Sequence, residues 1–497
     1  MSDAAVVGTG PNGLAAAVTL ARAGLRVTLF EMADTVGGGL RTESLFDSEV
    51  EHDVCAAVHP MAVASPFFRR FDLPARGVRL LQPDIPYAHP LPDGRGAAAW
   101  RSLSRTAEQL GPDRKRWTRL MAPLVARSRG VVDLLLSDLR TPPGDPAVPL
   151  LLGPRVLAHA LPRSPFATQE AAALFTGVAA HAVGRLPTLA SAAVGLLLGH
   201  AAHATGWPLP EGGSGRIADA LAADITAHGG VFHTGHRIRD LAELDRFPLV
   251  MLDLGAKEFL AVAGGRLPSR YRRGLENLRY GPGAAKADFL VSGPIPWRNP
   301  LMGRAGTVHL GGTHDAITRQ ETTVAGGAPG GVPFTLVVDP AVTDPSRAAG
   351  GKRPVWAYAH VPHGDTRDPV PMILDHIEQY APGFRDTVLA ARGRPAAAYE
   401  RYNPNYVGGD IGAGAMTVRQ SLLRPTARWD PYRTPLPGVY LCSAATPPGP
   451  AVHGMCGYLA ARSALRHQHG IRVLPDLGPQ AGGPIGRHPS AAGGSPA

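Results

Sequence analysis

The sequence predicts an α/β protein of more than one domain, and three observations carry that reading. The chain opens with a βαβ unit: an apolar strand from Ala4 to Gly8, a helix of small residues from Leu14 to Ala23, and a second strand over Arg26–Glu31. Such a unit needs a parallel sheet. At 497 residues the chain exceeds what one hydrophobic core serves. Finally, further strands appear much later, at Phe247–Asp253 and Val439–Cys442, while Lys286–Val291, Phe334–Val338 and Val355–His360 alternate like strands of a second sheet.

The turn inside the βαβ unit carries the first chemistry. Gly8-Thr9-Gly10-Pro11-Asn12-Gly13 is GxGxxG, placed after a strand and opening a helix, with Glu31 at the end of the second strand. Gly8 permits the tight turn, Gly10 lets a pyrophosphate approach the backbone, and Gly13 lets the helix pack on the strand. The helix N-terminus offers unpaired N–H groups to phosphate oxygens. Glu31 is placed to accept from ribose hydroxyls. These residues suit NAD or FAD equally. The next segment, Val36-Gly37-Gly38-Gly39-Leu40-Arg41-Thr42, favours FAD. It resembles the GGxxRT-like element of FAD proteins, with Gly38, Gly39, Arg41 and Thr42 along the phosphates and ribityl chain.

Helical segments around Trp117–Leu139, Ala171–Val183 and Pro187–His200 lie between Pro- and Gly-rich stretches and read as a cap. A helix follows from about Gly215 to His228, then a strand pair around Val231–Ile238. A helix ending at Tyr380 is stopped by Pro382 and Gly383, and another runs from about Gly454 to Arg466. From 471 to 497 the Gly, Pro, Ala and Ser content predicts a disordered tail.

Composition narrows the function. Cys55, Cys442 and Cys456 form no CxxC pair, which argues against a dithiol relay and a structural zinc, so no metal is expected. The net charge of +10 is spread among interleaved acids, which reads as solvated faces and not as a nucleic-acid surface. No apolar run is long enough to span a bilayer. The opening MSDAAVVGTG enters a strand at once, so a cytoplasmic protein is expected, with peripheral membrane contact as the variant reading.

With these residues in place, the chain resembles the phytoene dehydrogenase-like family of FAD-dependent oxidoreductases, near its pyridine nucleotide-disulfide oxidoreductase domain-containing protein 2 branch. The resemblance rests on VVGTGPNGLAAA, VGGGLRT, GWPLPEGGSG, YGPGAAKADF, NPNYVGGDIGAGA and, most specifically, YLCSAATPPGPAVHGMCGY at Tyr440–Tyr458. It departs at Pro450-Ala451, where such proteins usually carry glycines. It implies a Rossmann-like FAD-binding domain assembled from 1–75, 206–265 and 430–470. The substrate domain, of mixed sheet and helices and amine-oxidase-like or phytoene-desaturase-like, takes 76–205 and 266–429. It implies that Ile238 presents backbone to adenine, and that Ser443, Ala444, His453, Gly454 and Met455 meet the flavin. His453 then precedes a helix whose N-terminus faces the flavin pyrimidine edge. His59 is a further residue near the cofactor, with a buried structural histidine as its alternative.

Lys286 and His453 are the catalytic candidates the resemblance implies, and Lys286 is the sharper of the two. The chain has only four lysines against many arginines, and this one stands at the head of a predicted strand. Its placement resembles the amine-oxidase lysine that holds a water at the flavin; the alternative is a surface lysine paired with a carboxylate such as Asp288. The function implied is hydride transfer from a small or apolar substrate to flavin. Rival readings are a nicotinamide dehydrogenase, a flavin-fold binding protein without turnover, and a carotenoid-type desaturase at a membrane surface.

Overall fold

The computed structural model describes residues 3–479 apart from Ser48. A five-stranded parallel sheet forms the base of the molecule. Its order is Val439–Leu441, Leu249–Leu252, Asp3–Val7, Arg26–Phe30 and Val231–His233. All four pairings are parallel. The central strand is buried from Ala4 to Val7 because it is covered on both faces, as parallel sheets require. Helix Pro11–Arg22 leaves that strand directly, with Pro11 in the first turn, where its missing N–H leaves no bond unmade. It packs against helix Met455–His469, which begins one residue later than expected because Gly454 is the cap, in the left-handed region at φ +67°.

The return strand expected before Ile238 is absent. Only Val231–His233 pairs. The chain turns at Gly235 (φ +65°), and Gly235 N–H and His236 N–H donate to the carbonyls of Ala33 and Glu31 instead. Ile238 is buried there beside Phe30.

A seven-stranded sheet forms the second layer. Its order is Val388–Arg394, Gly283–Val291, Arg353–Val361, Thr335–Val338, Ala305–Leu310, Ile85–Pro90 and Gly96–Ala99. Every pairing is antiparallel except Ala305–Leu310 with Ile85–Pro90. Helices Arg114–Ala126, Ser128–Leu135, Gln169–Ala179 and Leu189–Ala204 form the cap, built on the buried Trp117, Met121, Leu174 and Leu196. The predicted stretch 117–139 is thus two helices, broken at Arg127.

The tail also departs from expectation at its start. Leu477 is 1% exposed and packs on the nucleotide-side core, and Arg76 Nη2 donates to its carbonyl at 2.8 Å. Residues 480–497 of the predicted tail lie outside the described residues. Among the described residues, no helix is long and apolar enough to cross a membrane.

Candidate functional site

One cavity of about 380 Å³ starts at the glycine turn and ends in the second sheet. Gly10, Pro11, Asn12 and Gly39 line one end. Ser443, Ala444 and Pro450–Val452 line a side. Leu336, Val338, Trp356, Tyr358 and His181 line the far end. The lining therefore joins the parallel sheet, the C-terminal loop and the antiparallel sheet.

The turn is built to receive a ligand. Gly8 has φ +91° and its N–H donates to the Phe30 carbonyl at 2.8 Å, which locks the turn against the second strand. A Cβ on Gly13 would overlap the Gly8 carbonyl, and one on Gly38 would sit 3.0 Å from the Gly10 Cα. A Cβ on Gly10 would meet only the end of a side chain, Asp253 Oδ2 at 2.8 Å. Asn12 Oδ1 is buried without a partner at this helix start. The bare backbone and the unpaired polar atom fit a phosphate-bearing cofactor that supplies donors and acceptors of its own.

Both carboxylate oxygens of Glu31 have partners within the protein. Its Oε2 accepts from Thr9 N–H at 3.0 Å and Thr9 Oγ1 at 2.6 Å, its Oε1 accepts from Ala33 N–H at 2.9 Å, and Arg41 Nη2 stands 3.3 Å away. The carboxylate is a brace between the turn and the Gly38–Arg41 segment. Arg41 donates from Nε and Nη2 to the Thr35 carbonyl and from Nη1 to Tyr402 Oη at 3.2 Å. Thr42 Oγ1 donates to Asp53 Oδ1 at 2.8 Å and accepts from Gly215 N–H at 3.0 Å. Arg41 and Thr42 therefore support the loop that carries Gly38 and Gly39, and neither lines the cavity.

His59 lines the cavity and His453 does not. Ser214 Oγ donates to the Ala56 carbonyl at 2.6 Å, so it accepts from Nε2–H of His59 at 2.8 Å, which leaves Nδ1 of His59 bare and unpartnered. Burial lowers His59 to about 4. His453 is fully buried: its Nδ1 accepts from Met455 N–H at 2.9 Å, its Nε2–H donates to the Gly449 carbonyl at 3.1 Å, and burial lowers it to about 4. It is a neutral cap that ties the Gly449 loop to the last helix. Ser443 Oγ donates to the Leu254 carbonyl at 2.7 Å and accepts from Ala445 N–H at 3.2 Å, which fixes the loop after the last strand. Gly454 and Met455 are buried behind that loop.

Lys286 differs from expectation. It is the fourth residue of Gly283–Val291, not its first, and it is 1% exposed, not on the surface. Nζ pairs with Asp288 and donates to the Asp53 carbonyl at 3.1 Å. It sits outside the cavity lining, behind Cys55. Burial lowers its pKa, with Asp288 opposing. Asp53 is equally enclosed, accepting from Ser214 N–H, Thr42 and Arg347. Burial would raise it, but Arg347 and these hydrogen bonds hold it below the ordinary carboxylate range.

Sequence reading missed two residues that line the cavity, Asp253 and His181, and one that braces its lining, Arg424. Asp253 directly follows the strand Leu249–Leu252 at the glycine turn, accepts from Gly13 N–H at 3.0 Å, and lines the cavity. Burial pushes it up to about 7. Its place at a strand end in a βαβ fold was the available signal. Arg424 is buried with Nε and Nη1 unpartnered, while its Nη2 donates to the carbonyls of Gly412 and Gly414. His181 lies on the cavity's far wall. Neither of the last two has a motif around it.

Backbone strain gathers at the same place. Five described residues other than glycine have positive φ, and three of them, Val183 (φ +44°), Ala413 (φ +51°) and Ala451 (φ +131°), line the cavity. Ala451 belongs to the Pro450-Ala451 pair at which the resemblance implied glycines.

Residues 6–71 match the model of an NAD(P)-binding Rossmann-like domain. The chain is 25% identical to the pyridine nucleotide-disulfide oxidoreductase domain-containing protein 2 of Rattus norvegicus, over 93% of each chain. In three dimensions it resembles a putrescine oxidase redesigned in cofactor binding, with a TM-score of 0.60, 16% identity, and 93% of this chain and 98% of that one covered. A cyclohexylamine oxidase from Brevibacterium oxydans gives 0.56 at 13% identity, covering 94% and 99%. This chain has the amine-oxidase-like fold. The resemblance read from the motifs and the fold class predicted from the strands agree with these matches. The relative's name refers to a disulfide, but the three cysteines of this chain are free, and burial pushes the Cys55 thiol up to about 11.

Proposed function

We propose that this chain is an oxidoreductase that binds FAD and passes a hydride from a substrate C–H bond to the flavin at the far end of the cavity. The observation that carries the reading is the continuity of one cavity from the glycine turn to an apolar chamber walled by Trp356, Tyr358 and Leu336. FAD would supply the electron sink. Gly10, Gly38 and Gly39 would hold its phosphates, Glu31 and Ile238 its adenosine, and Ser443 and Ala444 its ring. The protein's own part is to orient substrate against the loop Pro450–Val452 and to exclude water with the cap helices. A nicotinamide dehydrogenase would leave the C-terminal loop without a role, although that loop lines the same cavity. The test is the visible spectrum of purified protein. Flavin bands, or bands gained on incubation with FAD, are the expected result; a colourless protein that takes up no FAD would sink the reading.

The membrane-surface variant has its own observation. Leu136 and Met416 line the cavity, and the segments carrying them continue into exposed Leu139, Val418, Leu422 and Leu423. Arg140 Nη2 joins the two segments by donating to the Leu422 carbonyl at 3.0 Å. An apolar rim of this kind suits a substrate drawn from lipid. Co-sedimentation with phosphatidylcholine vesicles tests it, and recovery of the whole protein in the supernatant would remove it.

A further inference from the structure

A row of buried imidazoles runs away from the cavity wall. His181 sits on the turn Ala180–Ala182, ended by the strained Val183, with Trp207 edge-on to its ring. Its Nε2 lies 2.9 Å from Nε2 of His309. His309 and His89 lie on neighbouring parallel strands, one step beyond the pair Val308–Ala88, and so project from the same face. Both Nδ1 atoms are buried without partners and face Gly177, where a Cβ would sit 2.7 Å from that of His89 and 3.1 Å from that of His309. Nε2 of His89 lies 2.7 Å from the Gly312 carbonyl.

These contacts define a consistent set of tautomers. The Gly312 carbonyl can only accept, so His89 carries its proton on Nε2 and its Nδ1 is bare. Neither Nδ1 of His89 nor Nδ1 of His309 makes a hydrogen bond. With the proton of His309 on Nδ1, its Nε2 is an acceptor, His181 donates to it from Nε2, and Nδ1 of His181 is left bare. Burial keeps the row neutral: it lowers His181 to about 3, with His360 adding to the effect, and His89 to about 4, and it holds His309 well below the ordinary histidine range. The buried His360–Glu321 pair stands close by across the ring of Phe334, with Nδ1 of His360 2.8 Å from Glu321.

We propose that His181 is the cavity-wall residue that accepts a hydrogen bond from a substrate hydroxyl or amine and takes its proton as the substrate is oxidised. The redox half of this statement rests on the flavin reading; the hydrogen-bonding half does not. In oxidation of an alcohol, the C–H bond breaks and its electron pair leaves as hydride to the flavin oxidant. The O–H bond breaks, its proton passes to Nδ1 of His181, and its electron pair becomes the second bond of the carbonyl. As Nδ1 gains a proton, Nε2–H of His181 stays directed at Nε2 of His309, 2.9 Å away, which shares the positive charge. The substrate class that follows is an alcohol or amine carrying an apolar body, matched to the apolar walls.

Two measurements test it on the full protein purified with FAD. Nitrogen-15 imidazole spectra, assigned through His181→Asn and His309→Asn, are expected to show His181 protonated on Nε2 and His309 on Nδ1. The reverse tautomers at this pair would overturn the proposal. The second measurement compares binding of benzyl alcohol and benzyl methyl ether, which share a ring and differ in the donor. About tenfold tighter binding of the alcohol is expected, and His181→Leu should erase the preference while FAD content stays unchanged. Equal affinities in the unaltered protein, no binding of the alcohol, or a preference retained in His181→Leu would each overturn it. Saturation-transfer NMR reads the same pair in a colourless protein, so failure of the flavin reading and failure of this one are separate results.

Discussion

Asp253 sets a pH dependence that the glycine motif alone would not have. Its carboxyl is buried under the turn, pushed up to about 7 chiefly by that burial, with Glu31 adding a like charge. The folded-state value lies above the ordinary one. The folded protein therefore holds a proton that the unfolded chain loses between about pH 4 and 7, and stability falls as pH rises through that window. A diphosphate beside the carboxyl also favours the protonated form. FAD retention is expected to fall between about pH 6 and 8, and Asp253→Asn to flatten that profile and gain stability at the alkaline end, as read by equilibrium dialysis and thermal melts. A parallel pH profile in the variant would count against the assignment. Lys286 makes a different prediction from the one its motif implied. Lys286→Met removes the cation from Asp288 and should cost about 3–5 kcal/mol in urea unfolding. Adding Asp288→Asn should recover most of it. Slowed flavin reduction with stability intact would instead restore the catalytic reading.

At the level of elements, helices Pro11–Arg22 and Met455–His469 pack directly against each other. They meet where Gly457 lies on the Asn12 carbonyl, and a Cβ there would overlap it. Gly457→Ala should therefore lower the unfolding midpoint, with about 1–3 kcal/mol lost to overpacking. An unchanged midpoint would mean that the helices part without cost. What sequence could reveal at this scale followed the strength of the local pattern. The βαβ opening, the strand Leu249–Leu252 and the last helix are apolar runs with clear caps, and they were legible within a few residues. Ile85–Pro90 was not, because its two prolines disguise it, nor Val388–Arg394, whose arginines and half-exposed face blur the alternation. Gly96–Ala99 is built of small residues that signal helix as readily as strand. The glycine turn was legible because its chemistry is local. His181, His309 and His89 meet only through sheet register and a cap turn, so no spacing along the chain announces them.

The whole molecule should respond to its cofactor as a unit, since the cavity is lined by both sheets and the cap. At a hundredfold excess over the dissociation constant, FAD should add about 2.7 kcal/mol, an upward shift of a few degrees in a melt of cofactor-stripped protein. NAD should add nothing. Equal shifts from both would return the nicotinamide reading. The order of strands in the parallel sheet also constrains how the protein is born. Val439–Leu441 covers the outer edge of Leu249–Leu252, so that inner strand keeps a bare edge until translation reaches the last tenth or so of the chain. At about 5–20 residues per second, the ribosome holds this edge open for some ten to forty seconds after Leu252 is joined. During that interval the nascent chain carries an apolar, unpaired strand of the kind that recruits neighbours or chaperones. A chain released before Val439 is expected to enter inclusion bodies instead of persisting as a smaller soluble protein.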